Sequence, residues 1–239
     1  MGVVLPREHG TWMMFFLPFL FGMLLAGPEL IHLPLLIGWF FIYLFSTPFL
    51  AIIRKPSTRQ LKPLLVTYGS LAALFIVPLA WFKPLLLLIA VLFIPLLIIN
   101  IYFIKKKNER SLWNNLSGII IFSLGGVAAF IIKTDNWSAD ATFILLWNTF
   151  YFMGSAFYVK SLIRERKNRL FKLQSHVYHT LLFIIPWLLS TPWMSVAYVP
   201  SILKDWFTSR KKPIKPLVTG IIEIINGLIF LVISILVLN

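Results

Sequence analysis

Lys160, Arg164 and Lys167 recur at i, i+4 and i+7, a spacing that sets three cations on one helical face. Like charges so placed repel unless an anion sits among them. A lipid phosphate is the simplest such anion, and snorkelling of the long side chains into water is the alternative. Glu165 points elsewhere and relieves only part of the repulsion. Just upstream, Tyr151, Ser155 and Tyr158 add hydroxyls to an apolar stretch, either to line a cavity or to bond neighbouring helices. Glu223 and Asn226 lie about 10 Å inside the last apolar run at a rise of 1.5 Å per residue. An ionised carboxylate at the centre of a membrane costs about 2.5–3.5 kcal/mol. Glu223 must therefore be protonated, paired or facing water, with Lys215, Lys160 and Arg164 as candidate partners.

Other ionisable groups gather at the edges of apolar runs. Arg7, Glu8 and His9 precede the first one, where an acid suits the helix dipole and the three together can bind an anion and shuttle a proton. Arg54 and Arg59 stand in the segment RKPSTRQLK. KNERSLWNN joins Asn108, Glu109 and Arg110 to Asn114 and Asn115 at a helix start, whose exposed amides favour an anion. His176 and His179 share a face at i, i+3, but no Cys or Asp follows closely enough in sequence to complete a metal site, so they read as interfacial histidines and no metal is expected. The absence of cysteine removes disulfides and thiolate chemistry. There is no phosphate-binding Gly-rich loop, HExxH or GxSxG.

The elements that must carry these residues are membrane helices. Of 239 residues, 59% are hydrophobic, too many for a water-soluble globule to cover, and the mean hydropathy is +0.87. Nine apolar spans are predicted at approximately 11–27, 31–53, 63–82, 84–104, 112–133, 139–162, 174–191, 192–208 and 215–238. The seventh and eighth are short and meet at Ser190-Thr191-Pro192, which also allows eight spans with one re-entrant segment. The sequence thus predicts an all-α, polytopic transmembrane bundle forming a single domain over 1–239. A net charge of +14 in a soluble protein suggests nucleic acid, but here it segregates as membrane topology does. With the N-terminus inside, every one of the 22 Lys and Arg residues except Lys83 and Lys133 falls on the cytoplasmic side. Glu29, Asp135 and Asp140 lie on the opposite face, and the odd number of spans leaves the C-terminus outside. Trp39, Trp81, Trp113, Trp137 and Trp193 are expected at the aromatic belts.

Four segments, PREHGTWMMFFLPFLFG, KKKNERSLWNNLSGIIIFSLGG, GSAFYVKSLIRERKN and KPLVTGIIEIINGLIF, resemble the YwiC-like family of bacterial integral membrane proteins over essentially the whole chain. That resemblance implies a multi-pass protein of the bacterial cytoplasmic membrane and implies no particular activity. The family pattern carries Asn-Asp where this chain has Asn114-Asn115, so a role needing an acid there is not implied. A more distant likeness is architectural. Nine helices with polar clusters after the second and sixth resemble the UbiA superfamily of prenyltransferases, which hold Mg²⁺ and an isoprenoid diphosphate on Asp-rich motifs at those places. Here STPFLAIIRKPSTRQLK and YVKSLIRERKNR contain no aspartate. Arg and Lys contact phosphate oxygens directly, so the basic version is expected to bind a phosphate without metal or cofactor.

The functional expectation is a cytoplasm-facing cavity that binds an anionic amphiphile, an isoprenoid or other lipid phosphate such as a polyprenyl phosphate. Arg54, Arg59, Lys160 and Arg164 would contact the anion, Arg110 and Asn115 would add to it, Arg7 and His9 would close it, and Glu223 and Asn226 would position them. Three alternatives stand: a transporter of a small anion or proton-coupled solute using Glu223 or His9, a UbiA-like prenyltransferase, and a non-catalytic membrane assembly factor. No nucleic-acid partner is expected.

Overall fold

The computed structural model describes residues 9–211 and 213–238, with the backbone alone for His9 and Pro56. Arg7, Glu8 and the His9 side chain lie outside the described residues. Among the described residues there are nine α-helices and no strand. They are α1 (His9–Ala26), α2 (His32–Arg54), α3 (Lys62–Phe82), α4 (Leu85–Lys105), α5 (Leu112–Thr134), α6 (Ala139–Leu162), α7 (Arg169–Leu188), α8 (Met194–Phe207) and α9 (Pro216–Leu238), with a 3-10 segment at Pro56–Leu61. The largest difference from the sequence expectation is α7, which starts at Arg169 rather than 174. Asn168 caps it there by accepting the Phe171 amide at 3.1 Å, and this draws polar residues into the helix.

Helices α2, α3, α4, α5, α6 and α9 are long and apolar enough to cross a membrane, and the protein is a multi-pass membrane protein. α8 has 14 residues. It therefore extends about 21 Å, short of a hydrocarbon core about 30 Å thick.

The chain divides into two compact units, one ending at Leu145 and the other starting at Leu146 within α6. In the first unit α5 packs on α1 and α4, while α3 packs on α2. A Cβ at Gly22 would run into the Gly126 carbonyl and one at Gly126 into the Pro18 carbonyl, so α1 and α5 meet backbone to backbone. Trp39 is buried two turns into α2, stacked on Phe15 at 6.3 Å and lying over Gly125, so it belongs to the core rather than to an interfacial belt. Trp81, Trp113 and Trp193 sit exposed at helix ends, as expected of a belt. His32 is buried and clamps α2 to α5 by donating from Nε2 to the Ala129 carbonyl at 2.8 Å.

In the second unit α8 packs on α7 and α9. The α7–α8 turn passes through Ser190 in the left-handed region (φ 59°), and Ser195 donates back to the Phe183 carbonyl at 2.7 Å. Tyr198, fully buried, ties α8 to α6 by donating to the Trp147 carbonyl at 2.9 Å.

Candidate functional site

The ion pairs of the first unit join charges from the same ends of its helices. In the first unit Arg54, at the end of α2, is held bidentately by Glu109 from the α4–α5 turn, with Nε to Oε1 at 2.8 Å. At the other ends of these helices Lys83 pairs with Asp135 at 3.1 Å and Lys133 with Glu29 at 3.2 Å. Both lysines assigned to the outer face are thus neutralised by acids of that face. Arg59 and Arg110 are exposed, and Asn115 is half-buried one residue beyond Asn114, whose amide donates to the Glu109 carbonyl at 2.7 Å.

The second unit concentrates its cations at one end. Arg166 donates to the Lys211 carbonyl at 2.9 Å, and Arg210 reaches Ser161 Oγ from Nε at 3.3 Å and from Nη2 at 3.2 Å. These bonds lock the α6–α7 turn beside the segment after α8. Lys160, Arg164, Arg166 and Lys167 therefore share one rim with Arg210 and Lys211. Arg164 is exposed, and its side chain makes no ion pair with a described residue.

Beneath that rim lies a connected polar network. Asp205, fully buried on α8, accepts from Ser175 at 2.7 Å and from His176 Nδ1 at 2.5 Å, and its charged partner is the guanidinium of Arg210. His179 stands one turn further along α7, donates from Nδ1 to the Ser175 carbonyl at 2.8 Å, and keeps that nitrogen 3.6 Å from Asp205. The neighbouring Lys204 turns to α9 and pairs with Glu223 at 2.6 Å, while Ser155 of α6 donates to the other carboxylate oxygen at 2.5 Å. Tyr158 lies between the two ion pairs, with Lys204 Nζ 4.5 Å and Arg210 Cζ 5.7 Å from its ring centre. Deeper in the bundle Asn226 donates to Tyr151 at 2.9 Å and to Ser201 at 2.8 Å. Each buried charge has a counter-charge and hydrogen bonds, the condition under which charge persists in an apolar interior. Among the described residues no three His, Cys, Asp or Glu side chains are grouped so as to hold a metal ion.

A family model described as "YwiC-like protein" matches residues 5–130. The "Uncharacterized protein YwiC" of Bacillus subtilis (strain 168) is 38% identical over 232 residues, which cover 97% of this chain and 96% of that protein. The chain belongs to the YwiC-like family. An "Uncharacterized protein" of Haemophilus influenzae (strain ATCC 51907 / DSM 11121 / KW20 / Rd) is 32% identical over 232 residues, 97% of each chain. No solved structure matches. The YwiC-like relatives run through both units, so the polar network lies inside the shared length although it falls beyond the stretch matched by the family model.

In this YwiC-like chain the residues singled out from the sequence fall into two groups. Arg54, Arg59, Arg110 and Asn115 belong to the first unit, and Lys160, Arg164, Glu223 and Asn226 to the second. The structure brings Lys160 and Arg164 together across one helical turn, and it joins Glu223 and Asn226 to Ser155 and Tyr151. Glu223 finds neither Lys160, Arg164 nor Lys215, but Lys204. His176 and His179 do have an aspartate beside them, supplied 29 and 26 residues later by α8. Lys204 and Asp205 were missed because KDWFTSRKKPIK reads as one charged loop. The available signal was Asp205 itself, an acid among basic residues and next to apolar Trp206-Phe207.

Proposed function

We propose that the protein sits in the bacterial cell membrane with its N-terminus in the cytoplasm and binds an anionic amphiphile, a lipid phosphate, at the basic end of its second unit. The observation that carries this reading is the locking of the two basic segments side by side by Arg166 on Lys211 and Arg210 on Ser161. Cations drawn together in this way repel one another, and a lipid phosphate relieves that repulsion. Orientation is supported by the pairing at each end: segments assigned inside touch one another, and Lys83 and Lys133 find outer-face acids.

A groove for the apolar part adjoins the rim. Phe157 of α6 with Leu173, Val177, Tyr178 and Leu181 of α7 line an open, almost wholly apolar groove of about 280 Å³. Its Phe157 lies one helical turn from Lys160 and its Leu173 directly follows Lys172, so a chain lying in it brings its phosphate near those cations. The occupant this fits is the hydrocarbon tail of the same anionic amphiphile. The contact residues on this reading are Lys160 and Arg164, with Lys172 at the groove's mouth, while Glu223 and Asn226 hold α9 against α6 and α8 behind them. The Lys204 partner gives the Glu223 carboxylate the counter-charge that an acid inside an apolar span needs.

The test is binding of a short polyprenyl phosphate to the purified protein in nanodiscs with EDTA present. Arg164→Ala is expected to weaken it about tenfold or more, the scale of one lost charge-assisted contact. Unchanged affinity in that variant sinks the proposed site.

A further inference from the structure

One imidazole at this rim is held as a base is held. His176 Nδ1 donates to the Asp205 carboxylate at 2.5 Å. Asp205 is in turn fixed by Ser175 and Arg210, so the dyad cannot swing. The ring is also stacked on Trp206, with centres 4.7 Å apart and planes at 21°. Donation from Nδ1 leaves the lone pair on Nε2, which is not enclosed and makes no hydrogen bond to a described residue. A carboxylate that orients imidazole through Nδ1 and leaves Nε2 free is the arrangement of a general base. Its companion His179 is fully buried and serves no such end.

What lies next to that nitrogen defines the substrate. Arg169, Lys172 and His176 stand at i, i+3 and i+7 on α7 and so share one face. Arg169 and Lys172 are exposed, and neither side chain pairs with a described acid. Lys172 stands one helical turn from His176 and Arg169 two turns, so a phosphate held by them lies along the face that carries the imidazole, and Leu173 of the apolar groove follows Lys172 directly. A phosphate monoester leaves without needing a proton and an alkoxide does not, so a phosphoanhydride is the bond that a lone base beside two cations cleaves most readily.

We propose that His176 is a catalytic general base for hydrolysis of the phosphoanhydride of a lipid diphosphate, with Asp205 and Trp206 as positioning residues. Nε2 takes a proton from water as the water oxygen bonds to the terminal phosphorus. The bridging P–O bond breaks and its electron pair stays on the lipid monophosphate, while inorganic phosphate is released and the proton passes from His176 to solvent. Arg169 and Lys172 hold the equatorial charge. This proposal rests on the lipid-phosphate reading of the rim.

The experiment measures inorganic phosphate released from farnesyl diphosphate by the full chain in nanodiscs, together with equilibrium binding of the same compound. The expected result is release by the wild type, a fall of about 100-fold or more in His176→Gln with binding retained, and partial recovery of His176→Gly by added imidazole. Wild-type protein that binds farnesyl diphosphate but releases no phosphate overturns the catalytic proposal and leaves the binding site standing. Unchanged release in His176→Gln, or no rescue of His176→Gly by imidazole, also overturns it. Equal cleavage of inorganic pyrophosphate refutes the lipid specificity, and failure of the wild type to bind at all refutes the reading on which the proposal rests.

Discussion

Replacing Arg210 by alanine leaves a fully buried Asp205 carboxylate with neutral donors and no paired cation. The guanidinium donates to Asp205 Oδ1, to the carbonyls of Asp205 and Thr208 and to Ser161 Oγ. Counted singly at about 1.5–3 kcal/mol each, the five charge-assisted bonds to these four acceptors would exceed the whole stability margin of many domains. The Thr208 carbonyl lies past the end of α8, where water can replace the lost donor, and the orphaned carboxylate sets the scale. Breaking a buried pair from one side costs about 3–5 kcal/mol. Asp205→Asn is expected to cost less, because Ser175 can still donate to the amide oxygen and Arg210 keeps its carbonyl acceptors. The double variant Asp205→Leu/Arg210→Met should cost less than its two single changes added together, since neither charge is then left alone. The assay is equilibrium unfolding in mixed micelles, titrated with SDS and followed by tryptophan fluorescence. A loss under about 1 kcal/mol for Arg210→Ala, or strict additivity in the double variant, refutes the buried-pair reasoning.

Arg54→Ala, by contrast, should change stability by under about 1 kcal/mol in the same titration, because the Arg54–Glu109 pair is solvent-exposed however good its geometry. Gly126→Ala should cost several kcal/mol, as its Cβ would strike the Pro18 carbonyl, whereas Gly118→Ala, with open space around the added Cβ, should be neutral or stabilising. Both are read against the wild-type midpoint. Replacing Lys204 alone by methionine should destabilise more than replacing it together with Glu223→Gln, since the double change removes the stranded charge. Equal losses in the single and double variants would mean that the pair does not matter.

The helices themselves were legible because each is a long apolar run bounded by charge, Pro or Gly, and that signal is strong in a membrane chain. The start of α7 was not. Asn168 caps a helix whose first turns carry Arg169, Lys172 and Gln174, and polarity there reads as loop. The closeness of Lys160 and Arg164 was visible because they stand four residues apart, although α6 ends at Leu162 and Arg164 lies in the turn that continues it. The partners of Glu223 and of the two histidines were invisible for the opposite reason. They come from α8, 19 residues before Glu223 and 29 and 26 after His176 and His179, and nothing in a single sequence states which face of α8 meets which neighbour. Lys204 and Asp205 are adjacent in sequence yet serve different helices, since neighbours on a helix point about 100° apart. Trp39 shows the limit of the belt rule, because an aromatic in a membrane chain packs equally well over a glycine in the core.

The central claim is that a lipid phosphate lies between the basic rim and the groove of α6 and α7. The most direct measurement is photo-crosslinking with a polyprenyl phosphate carrying a diazirine on its tail, followed by peptide mapping of the labelled protein. Label should appear at Phe157 and within Leu173–Leu181, be competed by unlabelled polyprenyl phosphate, and fall when Arg164 and Lys160 are replaced. Label confined to α1–α5, or label at the groove that neither competitor nor substitution reduces, would contradict the account.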